Sequence, residues 1–244
     1  MSVIGRHVDR SRRNATKDDI VRLWALLQKS TLDFAKKLAD HNDKSWVDAH
    51  RDALNAARDD LLALGQELVD RADEYDPEIA HAGIEARHLT RYNRDPRFLH
   101  GKPPFRTDLD LFFNAGSGAE RVGYYLHVEP GNCYAGASLF IPSPPALARM
   151  RELIATRTDE WNRIISAKPF VAAFPNGIEA YGELKTAPRG YSVDHPAIAF
   201  LRMKGLGARA KLTEREVCAD DLVDRLMPIF RAVKPMVTFL NTGA

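Results

Sequence analysis

The sequence predicts an α+β fold, with a central antiparallel sheet of about four or five strands and helices before and after it packed on one face. Three observations carry that reading. Apolar residues recur every three to four positions up to about Ala72, alternate after Pro77, and return to the helical period from Ser143 onward. The alternating segments are joined by short stretches rich in Gly, Pro and Asn, of hairpin length, which makes neighbouring strands antiparallel. At 244 residues, with 45% apolar and 28% charged side chains, the chain can bury one sizeable core and has no bias toward disorder or a fibrous repeat. A single α+β domain over residues 16–244 follows, behind a basic tail at 1–15.

That tail holds Arg6, Arg10, Arg12 and Arg13 against Asp9 and little that is apolar, the pattern of a solvated end. Thr16 with Asp19 is a capping pair for a helix with Ile20, Leu23, Trp24 and Leu27 on one face, and Thr31 opens another bearing Phe34 and Leu38. Residues 46–72 read as one long helix capped by Ser45 and Asp48. Its stripe passes from Ala49, Ala53 and Ala57 to Leu61, Leu64 and Leu68, so its small half is expected close against the sheet. Asp76-Pro77 ends it, because the residue before proline is pushed out of the helical region.

Strands are predicted at 87–93, 109–113, 122–129 and 134–141, with turns at 115–118 and at Gly131-Asn132. Alternation assigns Leu109, Leu111, Phe113, Tyr124, Leu126, Val128, Ala135, Ala137, Leu139 and Ile141 to a covered face. Tyr125, His127, Glu129, Gly136 and Ser138 fall on the other. Ser143-Pro144 starts a helix to about Thr156, and another surrounds Trp161, Ile164 and Ile165. Prolines 169, 175 and 188 with glycines 177, 182 and 190 leave 168–192 looped, with short helices. Asp194 is expected to cap a helix including Pro196, Ile198 and Leu201, and 205–212 to add an edge strand. Thr213 and Glu216 form a capping box, and a last helix through Leu222, Leu226, Ile229, Val233, Val237 and Leu240 should be kinked or broken at Pro228 and Pro235.

A net charge of +2 with acids spread along the chain argues against nucleic acid as a partner. No apolar run approaches membrane-spanning length, and the first residues lack the apolar core of a secretory signal, so no membrane is implied. Cys133 and Cys218 give neither a disulfide framework nor a metal-ligand spacing, which fits a reducing cytoplasm. No cofactor is called for: Gly116-Ser117-Gly118 lacks the third glycine of a dinucleotide fingerprint, and Gly101-Lys102 lacks the upstream glycine and the hydroxyl of a P-loop.

The most specialised stretch is 90–108, TRYNRDPRFLHGKPPFRTD, where Arg91, Arg94, Arg97, Lys102 and Arg106 alternate with Tyr92, Phe98 and Phe105. Guanidinium forks match phosphate or carboxylate, so the stretch reads as a site for a small anionic ligand over the sheet face bearing Tyr125 and His127. The same arginines could instead pair with Asp95 or Glu129 and pin a long loop. His127-x-Glu129 sets two side chains on one strand face; together with His195 they could supply a general base or hold a metal, but two residues do not make a metal site and none is assigned. His127 and Glu129 are the catalytic candidates. The alternative class is a non-catalytic interaction protein whose basic loop contacts a protein or nucleic-acid partner.

The run RDPRFLHGKPPFR, followed by GYYLHVEPG and APRGYSVDHPAI in that order and spacing, resembles a family of bacterial and fungal proteins catalogued as domain of unknown function 2461. The likeness extends from about Thr31 to Asn241. It implies a fold and no activity. The family pattern carries an acid where this chain has Gly101, a Tyr at Phe105 and a Lys at Arg106, so the chain keeps a ring and a positive charge but drops a carboxylate and a phenol.

Overall fold

Leu109–Phe113 (β1), Gly123–Val128 (β2), Cys133–Leu139 (β3), Glu179–Ala180 (β4) and Leu206–Leu212 (β5) form one antiparallel sheet in the order β1-β2-β3-β5-β4. The computed structural model describes residues 27–80, 84–99, 101–114 and 120–243. The expected basic tail, the helix around Leu23 and the 115–118 turn lie outside the described residues. The α+β architecture is as the sequence predicts, and among the described residues no helix is long and apolar enough to cross a membrane.

The covered face consists of Leu109, Leu111 and Phe113, Tyr124, Leu126 and Val128, Ala135, Ala137 and Leu139, and Leu206, Ala208 and Ala210, all buried. Alanines on the two middle strands leave room for the last helix, Leu222–Leu240 (α9), which packs on β3 and sets Phe230 against the rings of Phe113 and Tyr124. Of the expected kink or break at Pro228 and Pro235, the break does not occur: α9 is one helix through both. Each proline removes one backbone donor, but its buried stripe of Leu226, Met227, Phe230, Val233, Met236 and Val237 holds the helix on the sheet. Asp76, 2% exposed, accepts from the Tyr124 hydroxyl at 2.8 Å and from Lys234 Nζ at 2.5 Å, tying the end of the helical N-terminal half to β2 and α9.

The N-terminal helices differ from expectation in one respect. Lys29–Asp40 (α1) is followed by Lys44–Ala49 (α2) and Arg51–Asp70 (α3), so the segment expected as one helix over 46–72 is two, divided at His50. Asp43 caps α2 at Trp46, and His50 closes it with its N–H and its ring nitrogen both on the Trp46 carbonyl, while its ring stacks on Trp46 at 4.0 Å. Of the small half of the stripe, Ala57 is buried and Ala49 is exposed. Ala53 is exposed and that half of α3 lies along α1, fastened by Thr31 Oγ1 to Asp60 at 2.5 Å. The sheet meets the leucine half, where Gly65 lies so close to β1 that an added Cβ would stand 3.0 Å from the Leu111 side chain.

Residues 87–93 form no strand; Leu89 bridges Leu111 and Thr90 bonds Asp110 of β1, while the Asn93–Phe105 bridge closes the loop on itself. Pro144–Thr156 (α4), capped by Ser143, Thr158–Ile165 (α5) and Lys168–Ala173 (α6) follow β3. Ile198–Leu201 (α7) starts later than predicted, with the His195 ring rather than Asp194 taking the Ala197 N–H at 3.0 Å. β5, expected at the edge, lies inside the sheet because β4 covers it. Thr213 and Glu216 make the expected capping box on Glu214–Val217 (α8).

Gly136 is where β3 and β5 pinch together: a Cβ there would lie 1.9 Å from the Ala208 carbonyl oxygen, whereas at Gly131, with φ of 77°, nothing lies within 4 Å. Gly136→Ala is expected to cost about 3 kcal/mol or more in urea unfolding by forcing the strands apart. Gly131→Ala should cost only about 1–2 kcal/mol, the strain of a left-handed backbone. Equal losses would contradict this account of β3–β5 packing.

Candidate functional site: a cleft on the open sheet face

The strand register stacks the outward side chains into rows. Asp110 faces His127, which faces Tyr134. The next row runs Phe112, Tyr125, Gly136 and Arg209, and the one after it Gly123, Ser138, Gly207 and Glu179. Above these rows opens a cleft of about 490 Å³. Thr90, Arg106, Asp110, His127 and Tyr134 line one end, Phe112 and Tyr125 the middle, and Arg121, Ser138, Leu139, Phe140, Ile141 and Tyr181 the remainder.

At the first end Asp110 is the hub. Its Oδ1 lies 2.5 Å from His127 Nδ1, and its Oδ2 accepts from Thr90 Oγ1 at 2.9 Å and faces Arg106 Nη2 at 3.5 Å. Arg106 also donates through Nε to the buried Asp108 at 2.9 Å and through Nη2 to the same oxygen. The other imidazole nitrogen, Nε2, stands 3.3 Å from Glu129 Oε2, and the ring stacks on Tyr134 at 4.2 Å and 14°. Burial opposes charge on His127, but the bonds to Asp110 and Glu129, with Asp108 nearby, outweigh it and raise its pKa. Burial likewise opposes charge on Asp110, yet His127, Thr90 and Arg106 together lower its pKa. Each group thus favours the charged form of the other.

The walls are aromatic. Burial pushes the Tyr125 phenol well above its ordinary range, and its hydroxyl donates to the Ala208 carbonyl at 3.2 Å. Tyr181 hydrogen-bonds with Tyr125 and Ser138, an approach open because Gly207 has no side chain: a Cβ there would sit 3.0 Å from the Tyr181 hydroxyl. Arg209 lies over the Tyr134 ring at 5.1 Å and pairs with Glu179. Burial also raises the pKa of the Cys133 thiol.

Of the residues singled out from sequence, the cleft brings together Arg106, Tyr125 and His127, with Glu129 beside the imidazole. Arg91, Arg94, Arg97 and Lys102 do not line it. Arg94 donates to the carbonyls of Pro103 and Phe105, Arg97 pairs with Asp95 at 2.6 Å with its side chain 78% exposed, and Arg91 and Lys102 are exposed. The loop they belong to is pinned where Asn42 grips Phe105 by both backbone groups, at 3.0 and 2.9 Å, and where Phe105 stacks on Tyr92. His195 is occupied at the start of α7. Ile141, expected inward, is 74% exposed at the cleft mouth, because β3 ends at Leu139 and the chain turns toward the Ser143 cap. Gly136 provides strand contact rather than open floor.

Sequence reading missed Asp110, Thr90, Tyr134 and Tyr181. Alternation alone turns Asp110 outward, but pairing it with His127 requires the β1–β2 register, and Tyr181 arrives from a segment with no strand signal. Asp108, Asp110 and His127 carry ligand-type atoms within 4.8 Å of one another. Arg106 already spans both carboxylates and His127 turns Nδ1 to Asp110, so a cation there would have to displace that arginine.

The sequence pattern of a family described as "Conserved hypothetical protein (DUF2461)" matches residues 30–239. No curated protein and no solved structure matches the chain.

The raised His127 pKa fixes a sign. The imidazolium contacts with Asp110 and Glu129 stabilise the fold below the ordinary histidine pKa of about 6.5 and are lost as pH rises through the higher folded value. By NMR titration His127 should therefore titrate above the ordinary range, and Asp110→Asn should bring it down. Unfolding free energy should decline with rising pH beyond neutrality more steeply in the wild type than in His127→Gln. A His127 that titrates at or below the ordinary value would contradict the paired arrangement.

Proposed function

Because the chain belongs to the DUF2461 family of conserved hypothetical proteins, a description that carries no chemistry, we propose from the cleft itself that the protein binds a small ligand bearing an anionic group on the open face of its sheet. One observation carries the reading. The charged lining consists of Arg106, Arg121, His127 and one carboxylate, Asp110, whose two oxygens are already engaged by His127, Thr90 and Arg106. A ligand entering at that end meets donors. Asp108 and Asp110 stand behind the two cations and orient them, holding Nε and Nη2 of the guanidinium and Nδ1 of the imidazole, so that the ligand is offered Nη1 and reaches Nε2 in exchange for its 3.3 Å contact with Glu129.

An imidazole set between Asp110 and Glu129 can also exchange a proton with a bound ligand as acid or base. His127 is thus the residue on which any turnover would depend. The basic loop supports a partner surface less well, because Arg94 is committed to backbone carbonyls and Arg97 to Asp95.

Thermal unfolding in chloride-poor buffer with added acetate tests the reading. Acetate should raise the wild-type Tm, and Arg106→Lys, which keeps the charge but loses the fork, should lose most of that gain. Arg97→Gln, at an exposed pair worth about 0–1 kcal/mol, should keep it. Loss of the acetate effect in Arg97→Gln with retention in Arg106→Lys would move the site to the loop and overturn the proposal.

A further inference from the structure

We infer that the ligand is an aromatic monocarboxylate, with its carboxylate at the Arg106–His127 end and its ring lying along Phe112 and Tyr125 toward Phe140 and Ile141. This rests on the reading of the cleft as an anion site and adds the rest of the molecule to it.

Length comes from the register. His127 faces Tyr134, and Ser138 lies four residues further along β3, so at about 3.3 Å per residue the polar end and the Ser138 row are about 13 Å apart. A cleft of about 490 Å³ is in the range that encloses a drug-sized molecule rather than a bare inorganic anion. Between the ends the lining is rings: Phe112 and Tyr125 at the centre, then Tyr181 with Phe140 edge-on against it at 4.7 Å. Flat rings pack on such walls in offset or edge-on geometry.

The mouth supplies the second argument. Phe140 is 56% exposed and Ile141 74%, two consecutive large apolar side chains facing water at the rim of the same cleft. Covering them with an apolar body removes that surface from water, which a small hydrophilic anion cannot do.

The head group follows from charge. Arg106 and His127 are the cations at the polar end, and Asp108, Asp110 and Glu129 already face them. Each negative charge on the ligand adds to these three carboxylates, so a planar monoanion, which takes the guanidinium edge at Nη1 with one charge, fits better than a dianion.

Calorimetric titration of the full chain with 4-phenylbutyrate, butyrate, octanoate, 4-phenylbutyramide and phenyl phosphate tests this. The expected result is 4-phenylbutyrate binding at least tenfold tighter than each of the others. In the double variant Phe140→Ser/Ile141→Ser, whose side chains are exposed enough to leave the fold intact, 4-phenylbutyrate should weaken at least threefold and butyrate not at all. Butyrate binding as tightly as 4-phenylbutyrate would overturn the inference and leave the anion site standing. Octanoate equal to 4-phenylbutyrate would overturn the aromatic body, and phenyl phosphate binding tighter would overturn the monoanion. The amide binding as tightly as the acid would overturn the inference together with the anion site beneath it.

Discussion

The register between β1 and β2 is the constraint on which the rest depends. With Leu111 opposite Leu126 the apolar sets of both strands face α3 and α9, and the same pairing puts Asp110 opposite His127 on the open face. A slip of one residue would turn Leu109, Leu111 and Phe113 to solvent and drive Asp110 into the core. Core and site are therefore specified by one alignment. The burial that stabilises the inner face also holds the Asp110–His127 pair together on the outer one.

The segment before β1 serves that alignment. Thr90 bonds the Asp110 backbone and carboxylate, Arg106 spans Asp108 and Asp110, and the Asn42 grip on Phe105 fastens the loop to the N-terminal helices. Arg94 folds back onto the carbonyls of Pro103 and Phe105, which prolines and the loop's irregular backbone leave without ladder partners. Arg94 and Arg97 are thus spent within the loop, and of the five basic side chains in the stretch one, Arg106, reaches the cleft.

The parts of the fold legible in the sequence were those written in local periodicity. The α+β order, strands β1 to β3, the Ser143 cap and the Thr213–Glu216 box follow from residues within a few positions of one another. What escaped depends on contacts between distant segments. The break at His50 comes from a ring competing for the Trp46 carbonyl, the continuity of α9 from its packing on the sheet, and the interior place of β5 from the two residues of β4. The site divides in the same way. His127 and Tyr125 were visible as outward residues of one strand and Arg106 as part of a charged run, whereas Asp110, Tyr134 and Tyr181 acquire their roles only through register and a long return of the chain. Arg91, Arg94, Arg97 and Lys102 were grouped with Arg106 by nearness in sequence, and the loop turns them elsewhere.

The central claim is that anions enter between Arg106 and His127. Crystals soaked in sodium bromide and recorded at the bromine absorption edge test it directly. The account predicts an anomalous peak in the cleft within contact of Arg106 and the His127 ring. Bromide found only beside Arg91, Arg97 or Lys102, with the cleft empty, would contradict it.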